Sequence, residues 1–111
     1  MTVTTDRSDD VSVIRVHEPR LMYPSLAEFS GAGSGRIAAG ERKLVIDLSA
    51  VSYVDSAAVG CLLDLQRQAT AAGAALKLAG VQRRVETMLT LTGAQNFLEI
   101  HADESSAIKS F

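Results

Sequence analysis

The hydrophobic and polar positions of the chain begin with an alternation typical of β-strands. Two short β-branched runs, residues 2–5 and 11–17, flank the polar stretch 6–10, which has the composition of a turn. In the second run, Val11 and Val13 share one face of a strand, while Ile14 and Val16 share the other. The pattern predicts a β-hairpin with an edge strand followed by a strand that is covered on both faces.

After the hairpin, residues 18–20 leave the sheet, and helical and extended patterns alternate. Strands are predicted at Leu44–Ile46, Leu76–Leu78 and Phe97–Ile100. Helices are predicted from Pro24 to near Gly40, Ala57 to Ala72, Val81 to Thr92 and Asp103 to Lys109. The first helix is expected to be weak or broken, because Gly31, Gly33 and Gly35 each cost about 1 kcal/mol relative to alanine in a helix interior.

The order of these elements predicts an α/β fold. Two consecutive β-α-β crossovers, 44–78 and 76–100, require parallel strands, whereas the opening hairpin is antiparallel. We therefore expect one mixed β-sheet, an N-terminal hairpin followed by parallel strands, with about five strands and about four helices. No linker, internal repeat or low-complexity tract divides the chain, so residues 1–111 are expected to form a single domain.

The segment from Val45 to Ser56 carries the strongest functional signal. A buried strand runs into a loop that ends with Asp55 and Ser56, and helical periodicity begins directly afterwards. Unpaired backbone N–H groups and the macrodipole favour negative charge at a helix N-terminus, so a phosphate on Ser56 would be tolerated there. A plain capping role for either residue is the simpler alternative from the residues alone. Asp47 is expected to fix the loop rather than to act in acid–base catalysis.

Composition and charge narrow the classes of function. The chain has 111 residues with a formal net charge of −2, and its basic residues are scattered, which argues against nucleic-acid binding. Cys61 is the single cysteine, which suits a reducing compartment and a buried thiol. The N-terminal residues lack a secretory pattern, and no stretch approaches the roughly 20 apolar residues of a membrane helix. A cytoplasmic protein without membrane insertion is therefore expected.

Motifs for catalysis or cofactor binding are incomplete. The Gly31–Gly35 stretch is followed by Arg36 where the dinucleotide fingerprint requires glycine, and no Gly-Lys-Ser/Thr follows. His17 and His101 lack metal-ligand spacing with each other or with Cys61. Ser56 lacks the nucleophile-elbow motif, although His17 on a neighbouring strand leaves hydrolase chemistry open. We expect no enzyme activity, no cofactor and no metal.

A family resemblance is carried by Val45-Ile46-Asp47-Leu48-Ser49-Ala50-Val51 together with Asp55-Ser56-Ala57-Ala58-Val59-Gly60. This run resembles the signature of STAS domains, the anti-sigma factor antagonists of bacteria. The likeness extends over nearly the whole chain. It includes the opening hairpin, Arg20-Leu21 before the first helix, the glycine that ends the central helix and Leu91-Thr92-Gly93-Ala94 after the next one.

The resemblance implies a STAS-like fold and a protein-binding switch. In that family the serine after the aspartate is phosphorylated by a partner kinase that is also the anti-sigma factor. This serine corresponds to Ser56, with Asp55 orienting the phosphorylation site. The unmodified form captures the anti-sigma factor and frees the sigma factor, and a phosphatase restores it. ATP belongs to the kinase, so no cofactor is implied, and a monomer or weak homodimer is expected.

The partner interface implied by this resemblance surrounds the helix start. Its expected residues are Arg20, Leu21, Val54, Ala57, Ala58, Val81, Arg83 and Arg84. The arginine pair begins a helix at the same sheet end as Ser56, although a merely solvated face is equally open. This chain departs from the family pattern at two places in the interface. Residues 18–22 replace the Gly-x-Leu-Asp common in the family, and Ala58 replaces a common glycine. Two interpretations of Ala58 stay open: its methyl group hinders the close approach of a kinase, or it has only a local effect by raising helix propensity.

Two further alternatives remain. A STAS-type scaffold or an accessory subunit of a stress-sensing or lipid-transport complex would need no phosphoswitch. A receiver-like phosphoaspartate domain has a similar order of elements, but it needs a pair of acids after its first strand and a lysine after its last. Here Asp9 and Asp10 precede a strand and His101 follows Ile100.

Overall fold

The computed structural model describes residues 2–23 and 25–111, which form seven strands and four α-helices. The strands are β1 (Val3–Ser8), β2 (Val11–Val16), β3 (Arg20–Leu21), β4 (Lys43–Asp47), β5 (Tyr53–Val54), β6 (Ala75–Ala79) and β7 (Glu99–His101). The helices are α1 (Leu26–Ala38), α2 (Ser56–Ala71), α3 (Arg83–Leu91) and α4 (Glu104–Lys109).

A five-stranded mixed sheet with the order β1-β2-β4-β6-β7 forms the framework. The β1–β2 hairpin is antiparallel, whereas the β2–β4, β4–β6 and β6–β7 pairs are parallel. This arrangement confirms the predicted α/β fold, the hairpin and both crossovers. The short strands β3 and β5 pair with each other in a separate parallel sheet, which the sequence pattern did not predict.

Side-chain alternation along β2 divides the core into two parts. Ile14 and Val16 join the large core that α1, α2 and α3 cover. Val11 and Val13 face the other side, where they join a small cluster with Ala107 of α4. The prediction that β2 is covered on both faces is confirmed, and the sheet therefore lies between three helices and one short helix.

Helix α1 is continuous over 13 residues, so the expectation of a broken helix is wrong. A Cβ on Gly31 or Gly35 would meet nothing within 4 Å, whereas a Cβ on Gly33 would lie 2.8 Å from the methyl groups of Leu65. Gly33 therefore lowers the helix propensity of α1 but allows the helix to pack closely against α2. The helix ends at Ala38, and Gly40 follows in the left-handed region, as expected for a helix end.

Several element boundaries differ from the prediction. Strand β1 continues to Ser8 because Asp6, Arg7 and Ser8 pair with β2, which leaves only Asp9 and Asp10 in the turn. A short 3-10 helix occupies residues 94–96, so β7 begins at Glu99 rather than at Phe97. These shifts change no strand neighbour in the main sheet.

Candidate functional site at the start of the central helix

Asp55 caps the N-terminus of α2. Its backbone is extended, and its Oδ1 accepts a hydrogen bond from the backbone N–H of Ala58 at 2.8 Å. Ser56 is the first residue of the helix, so the capping role falls to Asp55 and leaves the hydroxyl of Ser56 out of the cap. The helix begins one residue earlier than the hydrophobic pattern predicted.

The second carboxylate oxygen of Asp55 ties the helix start to a distant segment. Asp55 Oδ2 accepts a hydrogen bond from the backbone N–H of Tyr23 at 3.1 Å. The carbonyl of Pro19 accepts hydrogen bonds from the backbone N–H groups of Ser52, at 2.8 Å, and Tyr53, at 3.1 Å. The segment that contains β3 is therefore fixed against the loop that leads into α2, and the two-stranded β3–β5 sheet is part of this connection.

Ser56 stands at the surface beside this cap. The residue is exposed, and its side chain has no hydrogen-bond partner among residues 2–23 and 25–111. The neighbouring Ala57 is exposed as well, and a Cβ placed on the exposed Gly60 would meet nothing within 4 Å. A protein that approaches Ser56 from the surface therefore meets only small side chains on the first turn of α2.

The loops after β4 and β6 pack together beside the helix start. Gln82 Nε2 donates to the backbone carbonyl of Ser49 at 2.7 Å. Gly80 has a φ of +69°, and a Cβ there would lie 2.8 Å from the Cβ of Ser49, so the close approach requires glycine. Sequence reasoning missed both residues. A glycine directly after a strand was the available signal for Gly80, whereas the role of Gln82 follows only from the fold.

The expected interface residues divide by burial. Exposed positions are Arg20, Ala57, Arg83 and Arg84, and Val81 is half-buried. Leu21 and Ala58 are 0% exposed, so these two side chains belong to the core, and Val54 is 2% exposed and reaches the surface only at the floor of a cleft between β5 and α3. The expectation is corrected for Leu21 and Ala58, because the small sheet and the inward face of α2 bury them. The methyl group of Ala58 likewise adds no bulk in the path of a kinase.

Asp47 shapes the loop after β4, as expected. Its Oδ1 accepts a hydrogen bond from the backbone N–H of Ser49 at 2.8 Å. Burial by itself raises the pKa of Asp47. Hydrogen bonding with the Glu104 side chain and the Ser49 N–H, together with the charge of Arg15, outweighs burial and holds the pKa below its ordinary value.

Both histidines have hydrogen-bond partners other than Ser56, and Cys61 is half-buried rather than buried as expected. His17 Nε2 lies 2.7 Å from the hydroxyl of Thr4, and His101 contacts Glu99 and Ser110. Burial raises the pKa of the Cys61 thiol. Across the described part of the chain, no three His, Cys, Asp or Glu side chains form a group that could hold a metal ion. None of its helices is both long enough and apolar enough to cross a bilayer.

The family model of the STAS domain matches residues 2–107. The chain belongs to the STAS domain family. This STAS domain matches none of the curated proteins with which its sequence was compared.

Solved structures share the fold of this STAS domain at low sequence identity. A Thermotoga maritima protein assigned as an anti-sigma factor antagonist has a TM-score of 0.90 and 21% identity, with 97% of this chain and 92% of that chain covered. An anti-sigma factor antagonist of Mycobacterium paratuberculosis gives 0.89 and 20%, with 98% and 92% covered. The phosphorylated form of the Bacillus cell fate determinant SpoIIAA gives 0.74 and 16%, with 99% and 100% covered.

Proposed function

We propose that this STAS domain is an anti-sigma factor antagonist that is switched by phosphorylation of Ser56. Its unmodified form binds an anti-sigma factor that is also a serine kinase, and the sigma factor is released. The kinase binds ATP and carries the catalytic residues, so the domain itself needs no cofactor and acts without catalysis. Phosphorylation ends the interaction, and a phosphatase restores it.

One observation carries this proposal: Asp55 caps α2, whereas the adjacent Ser56 is exposed and has no hydrogen-bond partner among the residues described. A capping serine would be engaged by the helix backbone, but this hydroxyl is available to a kinase. The structural neighbours support the same function, since they include anti-sigma factor antagonists and a protein solved in a phosphorylated form.

The electrostatics of the helix start explain how a phosphate would act as a switch. A phosphoserine adds roughly −1.5 to −2 charges at neutral pH. The N-terminus of α2 tolerates this charge, so the fold is retained. In a protein–protein interface the charge of the phosphate must be desolvated, which is costly. The phosphate would also lie next to the carboxylate of Asp55, which is held in place by its hydrogen bonds from Tyr23 and Ala58. Phosphorylation is therefore expected to abolish binding rather than folding.

Affinity purification with mass spectrometry tests this proposal. The intact protein, the Ser56→Ala variant and a Ser105→Ala control are used as baits, and both partners and phosphorylation sites are identified. Ser105 is a suitable control because it is an exposed serine near the N-terminus of another helix, α4. Recovery of a small ATP-binding kinase, with phosphate on Ser56 in the wild type and the control only, supports the proposal. Recovery of membrane transport subunits alone contradicts it.

A further inference from the structure

A cleft beside the phosphorylation site is formed by β5 and α3. Tyr53 and Val54 line one side, and a helix face contributes the other residues: Arg84, Thr87, Met88 and Leu91. The cleft has a volume of about 250 Å³. Sites for small molecules typically enclose about 300–1,000 Å³, so this space suits a side chain of another protein better than a metabolite.

The α3 residues of the cleft recur at helical spacing and form one stripe on the helix surface. The fully buried residues of the same helix are Val85 and Leu89, with the half-buried Met88 packed against the same core, so the cleft stripe of α3 combines the apolar Met88 and Leu91 with the polar Arg84 and Thr87. Leu91 is 78% exposed and Tyr53 is 43% exposed, and Val54 is buried beneath them. Large apolar side chains grouped at the surface mark interaction sites, and Tyr and Arg are frequent energetic centres of interfaces.

Both signs of charge occur near the cleft, where three arginines outnumber the acidic Asp55 and Glu86. Arg84 lines the cleft, Arg83 precedes it on α3, and Arg20 pairs with Tyr53 across the β3–β5 sheet. None of these arginines makes an ion pair with another residue that the structure describes. Glu86 is the acidic residue in the first turn of α3. Since the whole chain has a formal charge of −2, this positive group is a local feature that suits an acidic partner surface.

The cleft is continuous with the candidate phosphorylation site along the chain. Strand β5 contributes Tyr53 and Val54 to the cleft and leads directly into Asp55 and Ser56. A protein that covers Ser56 is thus adjacent to the exposed ring of Tyr53. This continuity with the proposed binding site, together with the unpaired arginines at the rim, argues for the protein that binds at Ser56, rather than a second copy of the chain, as the occupant of the cleft.

We propose that this cleft receives an apolar side chain of the anti-sigma partner, from a segment that also presents a carboxylate to Arg84. The inference rests on the proposed function, because it names the surface beside Ser56 that holds that partner. The apolar side chain packs against Tyr53 and Leu91, and the carboxylate meets the guanidinium at the rim. This surface is separate from Ser56 itself, so the two can be tested independently.

The test is a calorimetric titration of purified variants with the ATP-binding kinase that is recovered with the unmodified wild type. Leu91→Ala removes the apolar contact, and Arg84→Glu reverses the charge. Phe97→Ala is the control for the first, since Phe97 is 68% exposed and lies outside the cleft. Arg67→Glu on α2 is the control for the second. Each cleft variant is expected to weaken binding at least about tenfold, whereas the controls change it less than about twofold.

Circular dichroism and urea unfolding check that all four variants are folded. If Leu91→Ala and Arg84→Glu bind as the wild type does while Ser56→Asp does not bind, the inference is wrong and the proposed function stands. If Leu91→Ala instead dissociates a homodimer in analytical ultracentrifugation without changing kinase affinity, the occupant is a second copy and the inference is wrong. If the unmodified wild type does not bind the kinase, the proposed function fails and the inference falls with it.

Discussion

Asp55 and Tyr23 are joined by a hydrogen bond of 3.1 Å between the carboxylate of the first and the backbone N–H of the second. The same carboxylate caps α2 through the N–H of Ala58. One side chain therefore holds the segment before α1 and the start of the central helix together. This arrangement gives Asp55 a structural role next to Ser56 and keeps a fixed negative charge where a phosphate would be added.

Asp55→Ala is expected to lower the free energy of unfolding by about 1–2 kcal/mol, because the helix loses its cap and the Tyr23 N–H loses its acceptor. Asp55→Asn keeps an oxygen that can cap the helix and is expected to cost less. Urea unfolding followed by circular dichroism measures both variants. Equal unfolding midpoints for wild type and Asp55→Ala would show that the two hydrogen bonds contribute nothing to stability.

The glycines of α1 are expected to respond differently to alanine. Gly31→Ala and Gly35→Ala place a methyl group in open space and raise helix propensity, so each should increase the free energy of unfolding by about 0.5–1 kcal/mol. Gly33→Ala places the methyl group against the fully buried Leu65, which must move, and should decrease it. Thermal and urea unfolding compare the three variants. A stabilising Gly33→Ala would contradict the close packing of α1 on α2.

Stability is expected to fall in acid. The pKa values of several carboxyl groups lie below the ordinary 3.8 for Asp and 4.5 for Glu, because hydrogen bonds and cations favour the charged forms. These groups are Asp6, Asp10, Asp47, Glu99 and Asp103. A lowered folded pKa contributes stability that is present above the unfolded pKa and is lost as the pH falls through the folded pKa.

The free energy of unfolding should therefore be steady above about pH 5 and decrease below about pH 4. Asp47→Asn should reduce this decrease, because an amide cannot be protonated in that range, while Asp64→Asn on the surface of α2 serves as the matched control. Urea unfolding at several pH values between 7 and 3 provides the measurement. A stability that stays constant down to pH 3 would be inconsistent with the lowered pKa values.

The main sheet could be predicted because its strands and helices have strong periodicity. The apolar run Leu44–Ile46 and the alternation of β2 identify the buried strands, and Gly73 and Gly93 mark helix ends. The continuity of α1 could not be predicted from helix propensity, because Gly33 allows α1 to pack closely against Leu65 of α2 and this packing keeps the residue helical. Tertiary contacts outweigh the intrinsic cost of glycine there.

The candidate site was predictable only in part. The position of Ser56 at a helix start follows from the onset of helical periodicity after Asp55. The burial of Leu21 and Val54 does not, because two-residue strands carry no periodic signal and the β3–β5 pair depends on chain segments about 30 residues apart. The exposure of Leu91 beside Tyr53 could not be predicted either, because it depends on how the last turn of α3 packs against β5.

The central claim is that a negative charge on Ser56 abolishes partner binding without unfolding the protein. Calorimetric titration of the ATP-binding kinase with the unmodified chain, the Ser56-phosphorylated chain and Ser56→Asp tests this claim most directly, with urea unfolding of each form as the control. The account predicts tight binding of the unmodified chain and at least about a hundredfold weaker binding of the other two, at unfolding free energies within about 0.5 kcal/mol of each other. Undiminished affinity of the phosphorylated chain would contradict it.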